Sequence, residues 1–228
     1  MQQRARSTED KARRSADLLA AAEEEARARS GVRFVTLAAV TERAGLHRTG
    51  VRRYFASKEE LLLALAEDGW RRWSEAVIAR TGGAVTARTA GREGLSPEDV
   101  AVLLADTLAE LPVFCDLLTH VTLSLEGDVT KERARRYKTR AFAAHDTLVA
   151  ALAAASTLTA AQLEALLAAC VTVAGGLWQT AHPTPSLAAL YAEVPEWGHS
   201  ALDFTPRLRL LLRSTALGLV TTLPAGKD

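Results

Sequence analysis

Apolar residues recur at spacings of three and four along almost the whole chain, the period of helices with one face turned inward. Punctuation divides that pattern into nine predicted helices, over 7–29, 36–44, 48–54, 58–80, 96–111, 112–125, 129–155, 159–181 and 206–222. Gly31 stops the first, and a turn at Gly45, Leu46 and His47 separates the second from the third. Ser57 and the pair Ser96-Pro97 are natural helix starts, the hydroxyl satisfying an orphan amide and the proline sitting where its missing N–H costs nothing. Four glycines within 81–94 predict a flexible connection. The proline-rich stretch 182–205 is long for a connection, the kind of loop that is functional or mobile. No repeat of fixed period is present, which excludes a solenoid.

Composition sharpens the fold class. Alanine and leucine dominate the 228 residues while aromatics make up only 5%, a mixture of helix formers that points to an all-α protein. A net charge of +1 argues against a protein that coats polyanions, but the charge is uneven. Residues 1–60 hold 13 Lys plus Arg against 9 Asp plus Glu, and the remainder 15 against 18. Cys115 and Cys170 each lie in an apolar run, as buried reduced thiols do, so neither a metal site nor a cofactor is expected. The polar start leads into no signal core, and the most apolar run, 163–178, is cut by Glu164 and Thr172, so the expectation is a cytoplasmic protein with no membrane partner.

The informative stretch is 32–65. Two helices of nine and seven residues do not persist alone and must be held by neighbours. Leu37, Val40 and Ala44 form one apolar stripe and Val51 and Phe55 another, with Gly45 free to take positive φ and Leu46 placed to insert between the two helices. This is a helix-turn-helix signature. Burying both stripes leaves Arg48, Thr49, Gly50, Arg52, Arg53 and Tyr54 on the outer face of the second helix. Arginine reads guanine bidentately, threonine reaches a base edge, and glycine lets the groove wall approach. Thr36 at the start of the first short helix, and Lys58 in the first turn after Ser57, suit backbone phosphates.

Thr36, Val40, Thr41, Ala44, Gly45, Leu46, His47, Val51, Arg52, Tyr54, Phe55, Ser57, Lys58, Glu59 and Leu61 together resemble the motif of the TetR family of transcriptional repressors. The match covers roughly 18–65 and is most specific in the run from Ala44-Gly45 to Tyr54-Phe55-x-Ser57-Lys58-Glu59. The resemblance implies a three-helix DNA-binding domain over 1–60 and a helical ligand-binding and dimerisation domain over 61–228. It further implies a homodimer on double-stranded DNA, most simply a repressor released from a palindromic operator by a small hydrophobic ligand. His47, Arg48, Thr49, Gly50, Arg52, Arg53, Tyr54, Thr36 and Lys58 are then the DNA contacts. His47 and Arg52 depart from the family's usual serine and tyrosine but still offer donors. The first helix supplies Ala and Glu where the family packs larger residues, and Phe34 is the candidate filler. Arg4, Arg6, Arg13 and Arg14 read either as a DNA-seeking arm or as a plain leader.

In the remaining chain the eighth helix is apolar nearly all round and the ninth is rich in leucine, so both need cover on more than one side. Pairing these helices between two chains would use Leu163, Leu167, Val171 and Gly175 of one and Leu208, Leu212, Thr215 and Leu219 of the other, which in the resembling family is the usual dimer interface. Polar and aromatic side chains embedded in apolar helices are the candidate effector contacts: Phe114, Cys115 and His120, then Tyr137, Phe142 and His145, then Trp178 and His182. No nucleophile elbow, zinc-protease motif, phosphate loop or dinucleotide fingerprint is present, so no enzymatic activity is expected. The rival reading is a helical small-molecule-binding protein without DNA activity, against which the outward arginines argue.

Overall fold

The computed structural model describes residues 2–47, 50–200 and 203–224, and the side chains of these except 2–9 and 198–200. Nine α-helices and no β-strand occur among them: α1 (Gln2–Ala28), α2 (Leu37–Arg43), α3 (Lys58–Thr89), α4 (Pro97–Ala109), α5 (Pro112–His120), α6 (Lys131–Ala155), α7 (Ala160–Ala181), α8 (Pro185–Glu193) and α9 (Phe204–Thr222). The protein is all-α, with a helix-turn-helix unit followed by a helical bundle. Its starts are written in side chains: Ser57, Ser96, Thr130, Thr159 and Thr184 each accept an amide N–H of the first helical turn. Ser96 with Asp99, and Thr159 with Gln162, close reciprocal capping boxes.

Several boundaries differ from those the sequence suggests. The segment 81–94 is not a flexible connection, because α3 continues through Gly82 and Gly83 to Thr89. A helix already many turns long adds residues cheaply, and the buried Thr81 anchors it there. The stop comes at Gly91, in the left-handed region at φ 73°, where the Gly91 and Arg92 amides bond back to Arg88 and Ala87. At the end of α1 the left-handed position falls to Ser30, at φ 57°, rather than to Gly31. The connection 182–205 contains α8 and a 3-10 segment, Pro195–Ser200. Beyond His120, α5 widens into a π-helical turn, Val121–Leu125.

The core is laid down by α3 and the helices around it. Trp73 is fully buried with its indole N–H on the Thr107 hydroxyl at 3.0 Å, tying α3 to α4, and Trp70 donates to the Tyr137 hydroxyl at 3.2 Å, tying α3 to α6. Phe114 of α5 packs edge-on against Trp70, and Gly69 is the residue that admits it, since a Cβ there would stand 2.2 Å from the Phe114 ring. Phe114 and Cys115 are therefore core residues rather than effector contacts. Burial pushes the Cys115 thiol up to about 12, which leaves it unreactive. By length and composition α7 could cross a membrane, but Leu163, Leu166, Leu167, Cys170 and Ala174 are spent inside the bundle.

One buried carboxylate joins the two parts of the molecule. Asp116 of α5 accepts the Val32 N–H at 2.7 Å from the segment leading into α2, and the Gln179 side-chain amide of α7 at 2.8 Å. His120 Nε2, expected at the effector site, lies 3.5 Å from the same group. Burial alone would raise the Asp116 carboxyl, but the bonds from His120, Gln179 and Val32 outweigh it and hold the group below the ordinary aspartate range.

Two predictions follow from these helices. Gly82→Ala and Gly83→Ala face open space inside α3, so each is expected to stabilise the protein by about 0.8–1 kcal/mol in urea denaturation; no gain at either would mean the segment is not helical in solution. Asp116→Ala strands the Val32 amide and is expected to cost about 1–3 kcal/mol. Because the native carboxyl lies below the unfolded value of about 3.9, its stabilisation is complete above that value and disappears as pH falls through the native one. Wild type should therefore lose more stability on acidification than Asp116→Asn, as urea titrations at successive pH values would record.

Candidate nucleic-acid interface and effector cavity

The turn after α2 is built as the apolar stripes require. Thr36 caps α2 by accepting the Ala39 amide at 3.2 Å, so its hydroxyl already has a structural task. Gly45 takes φ 64°, its amide bonds to the Glu42 carbonyl and that of Leu46 to the Thr41 carbonyl, which closes the helix and sends the chain back. Val40, Val51 and Phe55 are buried, with Leu37, Ala44 and Leu46 packed against them. Phe34 does not fill the space beside α1: it is 41% exposed with the Arg33 guanidinium 4.4 Å above its ring. Leu18, Ala21, Ala22 and Ala26 of α1 are themselves buried, so small residues bring α1 close enough that no filler is needed.

The expected reading helix over 48–54 is observed as a single 3-10 turn, Val51–Arg53; Arg48 and Thr49 lie outside the described residues. Gly50 stands where a Cβ would lie 3.0 Å from the His47 carbonyl oxygen, a tight contact that glycine avoids. Arg52 and Arg53 are exposed and pair with no described carboxylate. Tyr54 is half-buried and faces the groove beside α3 and α6. Lys58 donates to the Arg33 carbonyl at 2.7 Å, fixing the start of α3 to the segment before α2.

Arg27, Arg29, Arg43 and Arg72, by contrast, are paired with glutamates of α1. Glu25, almost wholly buried, accepts Arg43 at 2.8 Å and Arg29, and these two, Arg43 foremost, hold its carboxyl below the ordinary range. Glu24 lies 3.6 Å from Arg43, and Glu23 accepts Arg27 at 2.7 Å and Arg72 at 2.8 Å. Three consecutive glutamates point about 100° apart around a helix, so each meets a different set of guanidinium groups.

Two cavities take five of the eight expected effector contacts, and Phe114, Cys115 and His120 line neither. The first, about 630 Å³, lies among α3, the π-helical turn, α6 and α7, and takes Tyr137, Phe142 and His145 together with Trp70, Thr119, Glu126, Lys138, Leu167 and Val171. The second, about 400 Å³, lies at the junction of α1, α5 and α7, and takes Trp178 and His182, stacked at 3.7 Å, beside Asp116. A larger groove, about 830 Å³, runs between α1, α3 and α6, but its charges satisfy one another: Glu67 accepts Arg133 and Arg140, each at 2.6 Å, and Arg71 bonds Asp68 and Glu75. The 630 Å³ cavity, mostly apolar with a few polar groups, is the better small-molecule site. Trp70, Glu126 and Lys138 were missed in the sequence because each lies in a segment with no strong apolar contrast. Only the packing of α3 against α6 turns them to one space.

The faces of α7 and α9 need correction. Leu163, Leu167, Gly175, Leu208 and Leu212 are buried inside the single chain, and Val171, Thr215 and Leu219 are partly so. A Cβ on Gly175 would stand 2.9 Å from Thr119 Oγ1, so this glycine serves the crossing of α5 and α7. Leu210, Leu217 and Val220 are exposed on α9 and Ala161 on α7, while Ala168, Thr172 and Gly176 of α7 are exposed along the 630 Å³ cavity.

Comparison with known families gives two matches. A family model described as bacterial regulatory proteins, tetR family, matches residues 18–65. A second, described as tetracyclin repressor-like, C-terminal domain, matches residues 67–222. No curated protein matches the chain.

Proposed function

The chain belongs to the TetR family, whose members are DNA-binding transcriptional regulators with a ligand-binding C-terminal part, and on that premise we propose that it is a repressor released from a palindromic operator by a small, largely hydrophobic effector. The observation that carries the reading is the sorting of charge around the helix-turn-helix. Glutamates 23 to 25 pair with Arg27, Arg29, Arg43 and Arg72, while Arg52 and Arg53 are exposed and pair with no described carboxylate, beside a turn that presents Gly50. Arg48, Thr49 and His47 complete the base-reading segment, with Thr36, Tyr54 and Lys58 at the flanking phosphates. Binding would order the short turn at 51–53 into the groove, with the neighbouring helices supplying what so short a helix lacks.

The reading domain spans 1–60 and the effector domain 61–228 in this proposal, with α3 as the continuous strut between them. The effector occupies the 630 Å³ cavity. Two chains pair through the outer face of α7 and α9, which places two reading segments one duplex turn, about 34–36 Å, apart. The cavity and the junction share two helices: α5 with its π-helical turn lines the cavity and carries Asp116, and α7 lines the cavity and carries Gln179. An effector that prefers one arrangement of these helices shifts the reading domains of the pair relative to each other. The setting is the cytoplasm, where the operator is.

Selection of bound fragments from random duplex DNA should return a palindrome. Against it Arg53→Ala is expected to cost about 1–3 kcal/mol and relax base preference, whereas Lys58→Ala weakens all duplexes alike and lowers the salt slope by about one. Equal affinity of the wild type for every duplex would refute the regulator reading. Leu210→Glu with Leu217→Glu is expected to give a helical monomer that no longer holds the palindrome; a dimer surviving in sedimentation would move the interface elsewhere.

A further inference from the structure

We infer that the 630 Å³ cavity selects a lipophilic amine, through Glu126; the inference rests on the reading of that cavity as the effector site. Glu126 stands at the end of the π-helical turn and is the only acid lining the cavity among the described residues. Its Oε1 is enclosed and accepts a hydrogen bond from no described group. Lys138 Nζ lies 2.8 Å from that oxygen, close enough for an ion pair but not in hydrogen-bond geometry. The two partners are unequally placed: the Lys138 side chain is 48% exposed, the Glu126 side chain 20%. Lysine can thus retreat into water with little loss of hydration, while the carboxylate cannot leave the cavity wall without losing its counter-charge.

A carboxylate that is mostly enclosed, whose Oε1 accepts no well-directed hydrogen bond and whose neighbouring cation is replaceable, discriminates between head groups. An alkylammonium supplies both the charge and the missing donor, and charge-assisted bonds of this kind are roughly twice as strong as neutral ones. An alcohol supplies a donor only. A carboxylate must share the single Lys138 ammonium with Glu126, placing two anions against one cation. Tyr137, beside them, does not act as a second anion, since burial pushes its phenol up to about 12. The apolar body of the ligand then lies along Leu167 and Val171, toward the crossing of α5 and α7.

The test uses three probes with one body and three heads, pyrenebutylamine, pyrenebutanol and pyrenebutyrate, titrated into the full-length protein at neutral pH and followed by pyrene fluorescence. Wild type is expected to bind the amine at least about tenfold more tightly than the acid, with the alcohol between them. Glu126→Gln should abolish the amine's lead over the alcohol. Lys138→Met, which leaves Glu126 without its neighbour, should widen the amine's lead and weaken the acid further, and it decides the matter if Glu126→Gln does not fold. An alcohol or acid bound as tightly as the amine, or an amine lead untouched by Glu126→Gln, overturns the assignment while leaving the cavity as effector site. Binding of none of the three overturns both.

Discussion

The Val32 amide, buried between α1 and α5, has no helix of its own to bond within, and Asp116 supplies the acceptor at 2.7 Å. A buried N–H left unpaired costs far more than a made bond gains, so the position of the segment entering α2 is slaved to the position of α5. The same carboxylate also holds Gln179 at 2.8 Å, which binds α7 to the pair. Three elements thereby share one charge. The helix-turn-helix is thereby tied to α5 and α7, alongside its ties to α3 through Arg72–Glu23 and Lys58.

The distribution of charge around that unit follows a similar economy. A nearly neutral chain cannot hold nucleic acid by bulk attraction, so positive charge has to be concentrated where it reads. Here the concentration is achieved by subtraction. Glu23, Glu24 and Glu25 bind Arg27, Arg29, Arg43 and Arg72 and hold α1 to α2 and α3. The alanines between them let those helices approach closely enough for the ion pairs to form partly out of water, where screening is weaker. Arg52 and Arg53, exposed on the outside, pair with no described carboxylate.

Local chemistry was legible in the sequence, and orientation was not. Ser57, Ser96, Gly45 and the stripe through Val40, Val51 and Phe55 behave as their residue types require, because capping and turn geometry depend on neighbours a few positions away. The course of α3 through Gly82 and Gly83 was hidden because the cost of two glycines is set against a long helix already formed. The apolar surplus of α7 and α9 was plain, but both of its faces are apolar. Only packing decides that Leu163, Leu208 and Leu212 turn inward while Leu210 and Leu217 turn out. The cavity was half legible for the same reason: Tyr137, Phe142 and His145 meet there, whereas Trp178 and His182 stack one turn beyond, beside Asp116.

That one-turn offset bears on how a bound effector could be felt at the reading segment. Along α5, Thr119 lines the cavity and Asp116 lies three residues back, on the same side of the helix; along α7, Gly175 lines the cavity and Gln179 lies four residues on, again on the same side. Between the two levels the helices touch at Gly175 and Thr119, where even a methyl group would stand 2.9 Å from the hydroxyl. So close a crossing leaves little room for the helices to slide independently, because interiors packed at this density shift as units rather than deform smoothly. On the proposed reading, a ligand that spreads or tightens the cavity on one side of the crossing tilts the helices on the other, where Asp116 and Gln179 meet. The π-helical turn at Val121–Leu125 continues α5 past that crossing and carries Val121 and Thr122 into the cavity wall. On the proposed reading, a ligand gains control of DNA binding only through its differential affinity for two arrangements of α5 and α7.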